Sequence, residues 1–232
     1  MFRKKVTFIF LFCFGLSFGQ NEASYWYFGN RAGLKFNNST GTVTAITDGQ
    51  LSTLEGCTSI SDQNGDLLFY SDGRFVWNKN HQIMPNGTGL NGNNSSTSSG
   101  VIIPKPQDPG IFYLFTVDEP HHDPSARGGG NFGLNYSQIN ITANGGLGEV
   151  DPTFKNVPLV TYDIGNALQA EYKCSEKITA VRADDCSSLW VITHFVDSFY
   201  AFKVDTDGVM STPVISTVGT TVPVQGYRRN AL

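Results

Sequence analysis

Three groups of side chains in this 232-residue chain have types and spacings that could do chemistry. His121, His122 and Asp123 are consecutive, and imidazole with carboxylate suits zinc or a similar ion. Adjacent histidines on a polar loop equally suit plain solvation. Asp62, Asn64 and Asp66 have the one-three-five spacing of a calcium loop. The glycine at the sixth position and the distal glutamate are absent, so a β-turn is the better reading. Glu55 and Glu176 precede similar strand-like runs, and a carboxylate pair at suitable separation hydrolyses glycosides. Each also reads as the plain start of a strand. Trp26, Trp77 and Trp190 could stack on sugars, but they sit among other aromatics at strand positions, where core packing is expected. No G-x-S-x-G, Walker or H-E-x-x-H motif occurs. The glycines at 128–130 do not open a helix after a strand, so the dinucleotide fingerprint fails. The residues call for no cofactor.

These groups need a scaffold, and the scaffold is a repeated unit. Residues 56–84 read GCTSISDQNGDLLFYSDGRFVWNKNHQIM, which is strand, turn, strand, turn, strand. Asn64-Gly65 supplies the positive φ angles of a two-residue hairpin turn. The unit returns at 100–118 and at 177–202. Its second strands align without gaps as Leu67-Leu68-Phe69-Tyr70-Ser71, Phe112-Tyr113-Leu114-Phe115-Thr116 and Leu189-Trp190-Val191-Ile192-Thr193. Their spacings are 45 and 77 residues, the second lengthened by insertions at 119–133 and 157–173. A period near 45 with about four strands marks propeller blades. A sandwich of hairpins is the alternative.

The expected fold is therefore all-β, with β-propeller-like repeats of four-stranded antiparallel blades. About three blades and two N-terminal strands make an incomplete ring. Residues 20–232 form this partial propeller: outer strands at 20–50, blades at 51–95, 96–173 and 174–218, and the start of a further blade at 219–232. The run YWYFGNRAGLKF reads as one strand and TVTAIT as the next. The only helical fragment is 166–172. Three blades do not close a ring, so the chain reads as a fragment of a longer protein, or as one whose missing blades come from another copy.

In a blade the first strand runs from one end, here called the top, to the other. Loops entering the first strand and loops joining the second to the third share that top. Glu55, Asp72, Arg74, residues 95–99, His121, His122, Asp123, Glu176, Lys177, His194 and Asp197 all fall there. Function concentrates on loops held by a rigid scaffold.

Residues 1–19 read as a secretory signal peptide: Arg3, Lys4 and Lys5, then an apolar run, then Ser17 and Gly19 at the cleavage positions. The run is too short for a comfortable membrane span, and no second apolar segment follows. Leaving out those three cations takes 16 basic residues to 13 against 20 acidic, a net charge of −7. No basic cluster survives beyond Arg228-Arg229, so nucleic acid is not an expected partner. Cys57, Cys174 and Cys186 remain, an odd count that leaves one unpaired or paired outside the chain. Cys174 and Cys186 flank one first strand, which would hold them about 20 Å apart at ~3.3 Å per residue. A disulfide needs Cα atoms within about 7 Å, so their pairing stays open.

The stretches YWYFGNRAGLKF, TDGQLSTLEGCTSISDQNGDLLFYSDGRFVWNKNHQIMPNGTGL, SSGVIIPKP, YLFTVD, GLNYS and SEKITAVRADDCSSLWVITHF together resemble the N-terminal propeller region of large secreted proteins of gliding bacteria. Those proteins typically end in a gliding-motility-associated, type IX secretion sorting domain. The resemblance runs from Tyr25 to the last residue and is most specific over 54–90. It implies a secreted or outer-surface location, or a periplasmic one where the sorting domain is absent. Further blades and the sorting domain are the family features missing here. The family's propeller brings no established catalytic set.

Three functional readings follow. The first is a non-enzymatic extracellular or cell-surface binding and scaffolding module, with a protein or glycan as ligand. The second is a carbohydrate-active or other hydrolytic propeller, which needs carboxylates converging in a central pocket. The third is a fragment without independent function.

Overall fold

The computed structural model describes residues 21–120, 131–218 and 220–224. Its strands form four small antiparallel sheets. The first holds β1 (Tyr25–Phe28), β2 (Ala32–Asn37) and β3 (Thr42–Ile46). The second is a meander of β4 (Thr58–Ser61), β5 (Leu67–Ser71), β6 (Phe75–Asn78) and β7 (Ile83–Thr88). The third holds β8 (Gly100–Pro104), β9 (Ile111–Val117) and β10 (Leu134–Asn140). Its outer edge is two short strands, β11 (Glu149–Val150) and β12 (Val157–Leu159), both paired with β10. Pro152 lies between them in a short 3-10 turn capped by Asp151, and a proline cannot donate to the ladder. The fourth sheet repeats this plan with β13 (Ile178–Arg182), β14 (Leu189–Phe195) and β15 (Ser198–Asp205), edged by β16 (Gly208–Val209) and β17 (Val214–Thr217).

The sheets stack face to face in chain order, because each buries one side chain in two against its neighbour. Tyr27 of the first sheet stacks on Tyr70 of the second at 4.6 Å, beside Leu51, Leu67 and Trp77. Phe69, Val76 and Met84 meet Phe112, Leu114, Ile139 and Val150 of the third. Tyr113, Phe115, Tyr136 and Leu159 meet Val191, Phe195, Tyr200 and Phe202 of the fourth. Each such side chain contributes roughly 1.5–3 kcal/mol by leaving water. The first strands of successive sheets, β4, β8 and β13, also touch one another along one side of the stack. Among the described residues the stack does not close into a ring.

The structure corrects several expectations. YWYFGNRAGLKF is two strands, broken by a turn in which Gly29 and Arg31 take positive φ (58° and 59°), so the N-terminal sheet has three strands. Of Asn64 and Gly65, only the glycine takes positive φ (91°). Asp62 Oδ1 accepts from the Asn64 and Asp66 amides and shapes a longer turn instead. Residues 157–159, assigned to an insertion, are strand β12. Trp26 is half exposed, whereas Trp77 is buried. The ungapped alignment holds between the second and third repeats but slips in the first. Ser61 pairs with Leu67 and Ile60 with Phe69, leaving Leu68 as an extra residue. That bulge turns Phe69 toward the following sheet, while the aligned Leu114 turns toward the preceding one. A one-residue slip exchanges the two faces of a strand.

Cys57, Cys174 and Cys186 are all free. Cys174 is buried with its thiol 3.8 Å from the Asp118 carbonyl, and Cys186 is exposed at the far end of β13. The short helix Ala167–Tyr172 forms where expected, its Asn166 side chain accepting from the Leu168 and Gln169 amides.

Candidate functional site

The top of the stack is organised by residues 91–99, a run of Asn, Gly, Ser and Thr. Its composition reads as a solvated loop, yet Asn93, Ser95, Ser96 and Ser99 are buried. The segment pairs many of its own polar groups and those of the strand leading into β4, although the buried Ser96 hydroxyl has no partner among the described residues. The Asn94 carbonyl accepts from the Leu54 and Glu55 amides, and the Ser96 carbonyl from the Gly56 amide. Ser99 Oγ lies 2.9 Å from the Gly56 carbonyl and 2.7 Å from that of Asn93. Two backbone approaches require glycine. A Cβ on Gly56 would stand 2.3 Å from the Ser99 nitrogen, and one on Gly92 would stand 2.5 Å from the Gly73 carbonyl oxygen. The main-chain contacts bind the loop to the second sheet, and the Asn91 amide donating to Asn156 Oδ1 and the Asn93 side chain donating to Asp118 tie it to the third.

Glu55 and Glu176, expected to face one another, are brought together on Thr97 of this loop. Thr97 donates its amide to Glu176 Oε2 at 2.8 Å, and its hydroxyl lies 2.8 Å from that oxygen and 3.1 Å from Glu55 Oε2. One hydroxyl has one proton to donate, so it serves one carboxylate at a time. The threonine fills the space between the carboxylates, where a glycosidase keeps room for its sugar.

Asp72 and Arg74 form a second group. Asp72 is buried, accepts from the Arg74 and Phe75 amides at 2.9 Å, and pairs with the Arg74 guanidinium at 3.0 Å. That geometry closes the β5–β6 turn and aims Arg74 into a cleft of about 310 Å³ between the second and third sheets. Phe75, Asn91, Asn93, Asp118 and Phe132 complete its lining. The cleft lies at the small end of the roughly 300–1,000 Å³ range of ligand pockets. The Arg74 Nε is buried without a hydrogen-bond partner among the described residues. Asp118 is the residue that sequence reasoning missed. It is 3 % exposed, and burial pushes its carboxyl up to about 6, against the pull of the Phe132 and Glu119 amides and Asn93. An aspartate ending an apolar strand reads as a turn residue, and nothing in sequence marks it as buried.

The remaining candidates lie apart from this cleft. Lys177 and His194 line a separate hollow on the fourth sheet, where the His194 ring packs on Phe199 at 4.7 Å. Asp197 accepts from the neighbouring Ser198 hydroxyl. His121, His122 and Asp123 lie outside the described residues. Among the described residues no three His, Cys, Asp or Glu side chains cluster as metal ligands do.

A further polar network, also missed, joins the first two sheets. The Gln50 amide donates to the Tyr70 hydroxyl, which lies 3.1 Å from His81 Nδ1. His81 Nε2 faces Asp48 at 3.5 Å, and the Tyr27 hydroxyl donates to the same carboxylate at 3.1 Å. Burial pushes the Tyr70 phenol up to about 12, so it is a neutral donor. His81 sits at φ 61°, a turn conformation that NKNH does not announce.

No protein-family model matches the chain, and neither the curated proteins nor the solved structures yield a match. Among the described residues no helix is long and apolar enough to cross a membrane, which says nothing of a strand-built span.

Proposed function

We propose that this chain is a non-enzymatic extracellular binding and scaffolding module whose four sheets are propeller blades. The supporting observation is the cleft at the top, where Arg74 and Asp118 are held by a buried loop on stacked sheets. A rigid platform carrying a few convergent polar groups suits recognition of a protein or glycan surface. The Arg74 guanidinium, about a third exposed and oriented by Asp72, carries the donors for an acceptor group on that ligand, and Phe75 and Phe132 offer flat apolar faces beside it. The hydrolytic alternative is disfavoured because the candidate pair, Glu55 and Glu176, is bridged by Thr97. Secretion through a leader at residues 1–19 rests on its basic start, apolar run and small residues at the cleavage positions, and membership of a gliding-associated surface protein rests on the sequence resemblance. They are part of the proposal.

The test is a glycan array and a panel of extracellular matrix and envelope proteins, probed with the wild type and with Arg74→Ala. Binding that the substitution lowers at least about tenfold supports the reading, since a charge-assisted hydrogen bond supplies roughly 1.5–3 kcal/mol. Binding indifferent to Arg74, or turnover of chromogenic glycosides by the wild type, contradicts it.

A further inference from the structure

Among the described residues the two ends of the stack are both uncovered and both apolar. On the first sheet, the pairs Trp26↔Leu34, Leu34↔Ala45 and Phe36↔Val43 share the face turned away from Tyr27. Trp26 is 50 % and Val43 54 % exposed, and no strand residue on this face carries a charge. On the fourth sheet, Val181↔Trp190, Ile192↔Ala201 and Ala201↔Val214 share the face turned away from Val191. Val181 is 47 % and Phe199 41 % exposed. The charged strand residues on this face are Lys203, which pairs with Asp185, and Asp205 at the end of β15. Within the chain, faces of this kind are the ones that stack on the next sheet. Contiguous exposed apolar faces mark interaction sites.

We infer that a second copy of the chain covers both ends, the first sheet of each copy packing on the fourth sheet of the other. This rests on reading the sheets as blades. Two unlike faces cannot satisfy each other within one open stack, but two copies related by a two-fold axis make the same junction twice. Four sheets from each copy give eight, within the usual range of about four to eight blades. Area favours closure over a single contact. Trp26, Phe28 and Val43 on one face, and Val181, Phe199 and Val214 on the other, each leave at most about 100 Å² for burial, or about 300 Å² per face. One junction would bury about 600 Å², well below the ~1,200 Å² of a specific interface, whereas two reach about 1,200 Å². A hollow of about 190 Å³ lined by Thr179, Ile192, His194 and Phe199 is the receiving site for Trp26 of the other copy.

The experiment is light scattering on the purified protein at micromolar concentration, with Trp26→Glu and Phe199→Glu. Both positions are solvent-exposed in the single chain, so each variant should fold, with circular dichroism as the check. Val43→Lys and Val181→Lys form a second pair if either glutamate variant fails. The expected result is twice the monomer mass for the wild type and the monomer mass for a variant on either face. A monomeric wild type overturns the inference. So does a dimer that survives substitution of one face, because pairing of like faces would need only the other. Electron micrographs separate the two claims: a dimer lost in both variants but lacking a central channel overturns the blade reading, and with it the ring, while leaving the contact between copies.

Discussion

Replacing Asp118 by asparagine should remove a pH dependence of stability that the buried carboxyl imposes. Asp118 binds its proton more readily folded than unfolded, near pH 6 against the ordinary carboxylate value. Its contribution is therefore fully present below the unfolded value of about 4 and is lost as pH rises through about 6. The full difference is about 3 kcal/mol, of which roughly half falls between pH 5 and pH 8. Urea unfolding followed by tryptophan fluorescence at those two pH values, for wild type and Asp118→Asn, isolates it, since other groups titrate in both proteins. The wild type should lose about 1.5 kcal/mol more than the variant on going to pH 8. Parallel curves would refute the argument. So would a wild type that gains on the variant as pH rises, because the donors from Phe132, Glu119 and Asn93 would then outweigh burial.

Three further outcomes follow from the same geometry. Gly56→Ala drives a Cβ into the Ser99 and Ser96 backbone and should cost at least about 2 kcal/mol in urea unfolding. Thr97→Val removes the hydroxyl that serves Glu55 and Glu176 and should cost about 1–2 kcal/mol, while Thr97→Ser stays near wild type. Thiol labelling of the native protein should modify Cys186 at once and leave Cys174 unmodified until unfolding, since burial pushes the Cys174 thiol up and hides it.

What the sequence disclosed was local. The apolar runs around Phe69 and Leu114 name second strands that are covered on both faces, and the run around Val191 reads the same way although only one face of its strand is covered among the described residues. Asn166 announces its helix because a cap needs only the next three residues. Trp26 was misread because an aromatic strand does not say which of its faces will be covered. The bulge at Leu68 was invisible because it is defined by a partner strand rather than by its own residue. Glu55 and Glu176 could be placed on one end by topology, but Thr97 between them could not, since that contact spans 79 residues. The burial of Asn93, Ser95, Ser96 and Ser99 leaves no mark in composition, because the backbone they pack and bond against, at Leu54, Glu55 and Gly56, is distant in sequence.

Hydrogen exchange of the 91–99 amides tests the account most directly, because the candidate site stands only if this segment is a buried tie between sheets. Protection of the Gly92 and Ser96 amides comparable to that of β5 and β9 is the result the structure predicts. Exchange as fast as that of an exposed loop would contradict it, and with it the rigid placement of Arg74 and Asp118.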